Sequence, residues 1–356
     1  MKACLKLLSA VALALVLLEG SSRAEFLYVA NGGSVSAYGI GPNGALTPVP
    51  GSPFPAVNGA VAVAVDPWGR FVYVTGNNSI SAYHVAGNGA LTPVPGSPFP
   101  AANGAYSALA VDFFGRFVYV ANSGSNNISA YRIDENGALT LVPGSPVTAG
   151  IYPVSVAVDF FGRFVYVANS GSNNISAYHI APTGALTPVP GSFLAGSKPL
   201  CVAVNSLGRS VYVTNLLSNN VSAYRIGPNG ALTPVPGSPY PTLLGSSPNS
   251  VAVDFLGRFA YVVTNDPFGN LLAYQIGASG ALTPVPGLFN AGFQPRSVTV
   301  DLLGLFVYVG HQVSASLPPP YHTIRAYSIG PNGALTPVPG SPFQAGTNPR
   351  SVAVGP

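Results

Sequence analysis

Beyond the first two dozen residues, short apolar runs alternate with turn residues along the whole chain, and nothing reaches helical periodicity. The stretch Ser155–Pro190, SVAVDFFGRFVYVANSGSNNISAYHIAPTGALTPVP, shows the pattern. Four runs rich in Val, Tyr, Ile and Ala (SVAVD, FVYVAN, ISAYHI and ALTPV) sit between turns and predict four strands. The first two are apolar on both faces, as expected of strands with a neighbour on each side.

The unit recurs. Asn-Gly-Ala-Leu begins at Asn43, Asn88, Asn136, Asn229 and Asn332, with variants from Thr183 and Ser279, giving seven copies 45 to 53 residues apart. Four strands per unit at this period predict an all-β, seven-bladed β-propeller of four-stranded blades. The second-strand run Phe26–Asn31 comes first, and a lone first-strand run, Ser351–Val354, comes last. The C-terminal first strand is therefore expected to join the three N-terminal strands and close the ring, removing open sheet edges.

Residues 1–24 read as a signal peptide rather than part of the fold. Lys2 and Lys6 precede a twelve-residue apolar run, Leu7–Leu18, and Ser22-Arg23-Ala24 offers a cleavage site. Twelve residues are too few to span a bilayer as a helix. The expectation is a periplasmic or secreted protein whose single propeller domain occupies 25–356, with no transmembrane segment in the mature chain. Without the leader the formal net charge falls from +4 to +2, leaving one lysine, Lys198, and ten arginines. That is too little clustered charge for a nucleic-acid partner. Cys201 stands alone once Cys4 is removed, at a position where other repeats carry Ser, and reads as a small core residue. No metal-ligand spacing or cofactor motif is apparent; Gly39-Ile-Gly41-Pro-Asn-Gly44 spells a dinucleotide fingerprint but opens no helix.

FVYVAN, preceded by SVAVD and a Gly-Arg turn, resembles the YVTN-type repeat of lactonase-like seven-bladed propellers, which include 6-phosphogluconolactonases and carboxymuconate-lactonising enzymes. The similarity covers the whole mature chain. It implies a functional face formed by the second-to-third-strand loops and the links between blades. It also implies a hydrolase acting on a sugar lactone.

Residues common to most blades serve the blade, so candidate chemistry lies in what is left over. Asp66, Asp112, Asp159, Asp254 and Asp301 open the first hairpin turn and Arg70, Arg116, Arg163, Arg209 and Arg258 close it, a turn device. On the implied functional face the remaining ionisable residues are Asp266, Lys198, Arg296 and Arg350, together with His311, His322 and Arg325. His311 replaces the repeat's Asn and opens an irregular stretch to Thr323 that contains Pro318-Pro319-Pro320. Arginines and histidine suit a small anionic ligand, a carboxylate or phosphate. For lactone hydrolysis, His311 or Asp266 would serve as the base and Arg296 or Arg350 would hold the oxyanion. Arg350, Arg325, Lys198 and His322 would bind. The resemblance also implies a mouth glutamate, and this face has none. The alternative is a non-catalytic binding or structural propeller. On the opposite face the hairpin tips are apolar, with Trp68, Phe114 and Phe161 among them, and form either a surface for a protein partner or self-association or a plug for the channel.

Overall fold

The computed structural model describes residues 24–101, 108–243, 245–266, 269–311 and 322–356. All but Ala24 of the proposed leader lies outside the described residues, as does 312–321 with Pro318–Pro320. Every regular element among the described residues is a β-strand, and the strands form seven antiparallel sheets. One blade consists of Pro153–Val158, Phe164–Asn169, Asn174–Ile180 and Leu186–Pro188, with Phe193–Leu194 pairing onto the start of the third strand. In the closing blade, Pro349–Gly355 pairs with Phe26–Asn31, bringing Leu27 opposite Val354 and Val29 opposite Val352. Each inner strand also lies beside those of both neighbouring blades, so the ring is complete.

The repeated residues are the ones that join blades. All seven second strands carry a buried Tyr whose hydroxyl donates to a Gly carbonyl in the third-to-fourth turn of the next blade. Tyr166 reaches Gly230 at 3.0 Å, and Tyr308 reaches Gly44 at 3.1 Å across the closure. Burial pushes these phenols well above the ordinary tyrosine range, so they stay protonated donors. The same turn glycine packs under the second-strand Phe of the preceding blade: Gly89 under Phe26, Gly137 under Phe71, Gly230 under Phe164. Its φ of about +80° and this contact both exclude a side chain. Third-strand tyrosines bond backwards, Tyr178 to the Thr148 carbonyl at 2.6 Å and Tyr224 to that of Leu194 at 2.6 Å.

At the inner edge, where a strand has no further partner, serine takes the unpaired amides. Ser155 accepts from Val202 N–H at 3.1 Å, Ser297 from Val352 and Ser351 from Val63. Cys201 occupies this position in one blade, its thiol raised by burial and directed at the Val251 carbonyl at 3.7 Å.

The Asp–Arg hairpin is the expected turn device. Asp159, fully buried, accepts N–H bonds from Arg163 and Phe164 and pairs with Arg163 Nε at 2.8 Å. Three blades depart from it: Asn205 replaces the Asp and accepts the N–H bonds of Arg209 and Ser210 without an ion pair. Leu305 stands where Asp301 would meet its arginine, and in the closing blade Glu25 holds the arginine position. Glu25 lies beside Asp301; burial first, then the Asp301 charge, raises its carboxyl to about 7.

Two tests follow from this packing. Gly89→Ala should cost about 3 kcal/mol or more, through left-handed backbone strain and overlap with Phe26. Gly87→Ala, two residues away in open space, should change stability by less than about 0.5 kcal/mol. Denaturant midpoints of the two variants check the contrast. For Glu25, a folded pKa raised above the ordinary value means tighter proton binding in the native state. Its contribution is fully present below about 4.5 and is lost as pH rises through about 7. In a chain that retains Ala24, Glu25→Gln should therefore raise the melting temperature at pH 8 and narrow its gap to pH 5; an unchanged pH profile would refute the assignment.

Candidate functional site

The start of each inner strand and the end of each second strand meet on one face, as Pro153 does with Asn169 and Pro295 with His311. The links between blades and the second-to-third loops gather there, forming one mouth of the ring. Five inner strands begin with a β-bulge immediately after a proline; the unpaired residues are Val154, Leu200, Asn249, Arg296 and Arg350. A bulge breaks the alternation of side chains and re-aims one of them. Two arginines thus hold the same bulge position on adjacent inner strands.

They lie close enough to influence each other. Burial first, and then the Arg350 charge, lower the Arg296 pKa. Arg296 is exposed and Arg350 half-buried, with the Arg350 Nε fully enclosed and without a hydrogen-bond partner. Asn249, at the preceding bulge, donates to the Pro295 carbonyl at 3.1 Å and fixes the strand carrying Arg296. Two cations on adjacent strands, one with an unsatisfied buried donor, have the chemistry that suits a planar or tetrahedral anion.

The other candidate residues fall into separate groups. In four blades an Asn ending the second strand donates to a third-strand Ser, as Asn169 does to Ser176 at 2.9 Å. His311 and Arg325 replace that pair. His311 is buried, with Nδ1 2.8 Å from the Thr323 carbonyl and Nε2 against the Ala291 carbonyl. A neutral imidazole donates through one nitrogen only. Burial, the largest influence, holds the ring below the usual histidine range; the two carbonyls oppose this and the Arg325 charge adds to it. His322 buries its ring and accepts the Asn348 N–H through Nδ1 at 3.3 Å. Asn126, Asn173 and Asn219 make the equivalent bond in other blades, so His322 joins a second-to-third loop to the next link. Lys198 sits at such a link position with φ 56°, its side chain exposed. Asp266 accepts from Thr264 Oγ1, Gly269 N–H and Asn270 Nδ2 at 2.8 to 2.9 Å, closing its own loop. Among the described residues, no three His, Cys, Asp or Glu side chains are grouped to hold a metal.

Asn249 is a mouth residue that charge-based reading misses. Its signal was present in the sequence: it occupies the same offset from Asp254 as Arg296 does from Asp301.

On the opposite face the first residues of three apolar tips, Phe113, Phe160 and Phe255, come together. Phe113 and Phe160 stack with centroids 3.9 Å apart, and Phe160 reaches Phe255 at 5.8 Å, past the intervening blade. The second residues lie outward. Phe114 and Phe161 lie beneath Arg116 and Arg163 at 4.8 and 4.9 Å, and Trp68 Nε1 donates to the Phe114 carbonyl at 3.3 Å. Phe114, Leu207 and Leu256 remain exposed.

A closed seven-bladed ring with paired cations at one mouth is the class that these features define. The family model for the lactonase seven-bladed β-propeller matches residues 93–204. A putative 6-phosphogluconolactonase from Bacteroides fragilis superposes with a TM-score of 0.79 at 17% identity, covering 95% of this chain and 99% of that one. Another putative 6-phosphogluconolactonase, from Bacteroides uniformis, gives 0.79 at 15% identity, with 94% and 100% covered. A periplasmic gluconolactonase from Pseudomonas aeruginosa gives 0.73 at 18% identity, with 94% and 99% covered. No curated protein sequence matches the chain. The family match spans under a third of the chain, and at these identities the structural likeness establishes the fold, a seven-bladed β-propeller.

Replacing His311 tests its part in the packing. His311→Asn, which restores the residue of most other blades, should keep stability within about 1 kcal/mol, whereas His311→Ala should cost about 2 kcal/mol by leaving the carbonyl to which the neutral ring donates unpaired and by emptying the space of a buried ring. A depressed histidine pKa stabilises above the ordinary value near 6.5 and loses that contribution as pH falls through it. His311→Asn should thus flatten the acid limb of the stability profile, measured by thermal unfolding between pH 4.5 and 7.5.

Proposed function

We propose that this chain is an exported, lactonase-like propeller that recognises a small anionic acid or lactone at the mouth of its ring. The observation carrying the reading is the adjacent Arg296–Arg350 pair, with the enclosed Arg350 Nε unpartnered. An anion held between the two guanidinia would relieve their repulsion and supply the missing acceptor. Sugar acids and their lactones enter by analogy with the named activities of the structural neighbours. The leader-like residues 1–24 support export, and one such neighbour is described as periplasmic.

Lactone hydrolysis is the second reading, favoured by the same pair. Water would add to the lactone carbonyl, Arg296 or Arg350 would stabilise the oxyanion, and cleavage of the ring C–O bond would release the hydroxy acid. Asp266 and His311, the candidate bases, are both engaged by their own loops, so water activation through either requires those bonds to loosen. Recognition without turnover asks for no such change and is the reading better supported.

A thermal-shift screen of carboxylates and phosphates should find stabilising anions, and Arg296→Ala/Arg350→Ala should weaken the best of them by about tenfold or more. Equal binding by the double variant would overturn the site. Hydrolysis of glucono-1,5-lactone above the spontaneous rate, lost in Arg296→Ala, would favour the second reading over the first.

A further inference from the structure

The mouth has two unlike sides. Its polar side belongs to the blades that begin at Pro248, Pro295 and Pro349. Their bulges carry Asn249, Arg296 and Arg350, and the residues before their prolines are Ser247, Gln294 and Asn348. In the blades that begin at Pro153 and Pro199 the bulge residues are Val154 and Leu200, and Val61 holds the matching position before Ala62–Val65. These three are half-buried. The apolar clusters between blades take in their strand neighbours Val63, Val156 and Val202 but not Val61, Val154 or Leu200. On the rim above, Ile151 and Tyr152 are 60% and 51% exposed, where monomers rarely leave large side chains grouped. Lys198 is the one charged residue on this side among the described residues, and it is exposed.

Polyhydroxylated ligands need a hydrogen-bond partner for each hydroxyl they submerge, and an unmatched polar group costs binding. Val61, Val154 and Leu200 offer none. We propose that the preferred ligand is an amphipathic organic acid. Its carboxylate is held by Arg296 and Arg350, and its apolar or aromatic body lies over Val154 and Leu200 beneath Ile151 and Tyr152. The proposal rests on the anion site argued above and narrows its ligand class.

Calorimetric titration with three probes separates the two ideas. These are 3-phenylpropionate, gluconate (same charge, hydroxylated body) and 3-phenylpropanol (same body, no charge). The acid with the apolar body should bind about tenfold or more tighter than either of the others. Val154→Asn/Leu200→Asn should narrow its advantage over gluconate, while Arg350→Ala should narrow its advantage over the alcohol. Gluconate binding as tightly as 3-phenylpropionate would overturn the apolar half and leave the anion site standing. Equal binding of acid and alcohol would overturn the anion site and this proposal with it, as would no binding of any probe.

Discussion

The structure depends on one contact repeated seven times: a second-strand tyrosine donating into the third-to-fourth turn of the next blade. A lone four-stranded sheet leaves both faces apolar and has no reason to sit at a fixed angle to its neighbour. The Tyr–Gly bond gives that angle a directional constraint, and in most blades the adjacent Phe seats on the same glycine. Because the glycine is needed both for its positive φ and for the space beneath the ring, Phe, Tyr and Gly form a single requirement spread over about 65 residues. A net gain of about 1 kcal/mol per hydrogen bond is small, but the ring makes the bond in every blade, and closure leaves no weak end.

This explains why the fold was legible in the sequence. FVYVAN and Asn-Gly-Ala-Leu recur because each is half of an interface, and counting them counts interfaces. The shared blade was legible for the same reason: Phe26–Asn31 needs a first strand, and Ser351–Val354 is the only one left over. The one substitution in the contact confirms how it works. Ser210 replaces Phe, Gly280 then faces a Ser hydroxyl, and the Tyr212 bond to Gly280 is retained at 3.0 Å.

The candidate site was legible only in part. Subtracting the repeat isolates the residues that depart from it but says nothing of the direction in which a side chain points. His311 and Arg325 stood out as departures from Asn and Ser, yet the His311 ring is taken up by the backbone carbonyls of Thr323 and Ala291. His322 does the work of Asn126, and Asp266 closes its own loop. A replaced residue can mark new chemistry or an exchanged partner, and only the neighbours decide. Arg296 and Arg350 differ because they replace residues at a bulge, where no strand pairing claims the side chain.

The bulge also explains how nearly identical blades can carry an asymmetric mouth. Along the inner strand the serines and buried valines are constrained by the next blade, so they vary little. The residue freed from pairing at the bulge bears no such duty, and it alone ranges from Val to Leu, Asn and Arg around the ring. In these five strands the variation is concentrated at the bulge, while the flanking proline, and a serine in all but the strand carrying Cys201, hold the strand in place. A stiff, repetitive ring thus supplies a set of aimed positions whose chemistry changes without disturbing the contacts that close it.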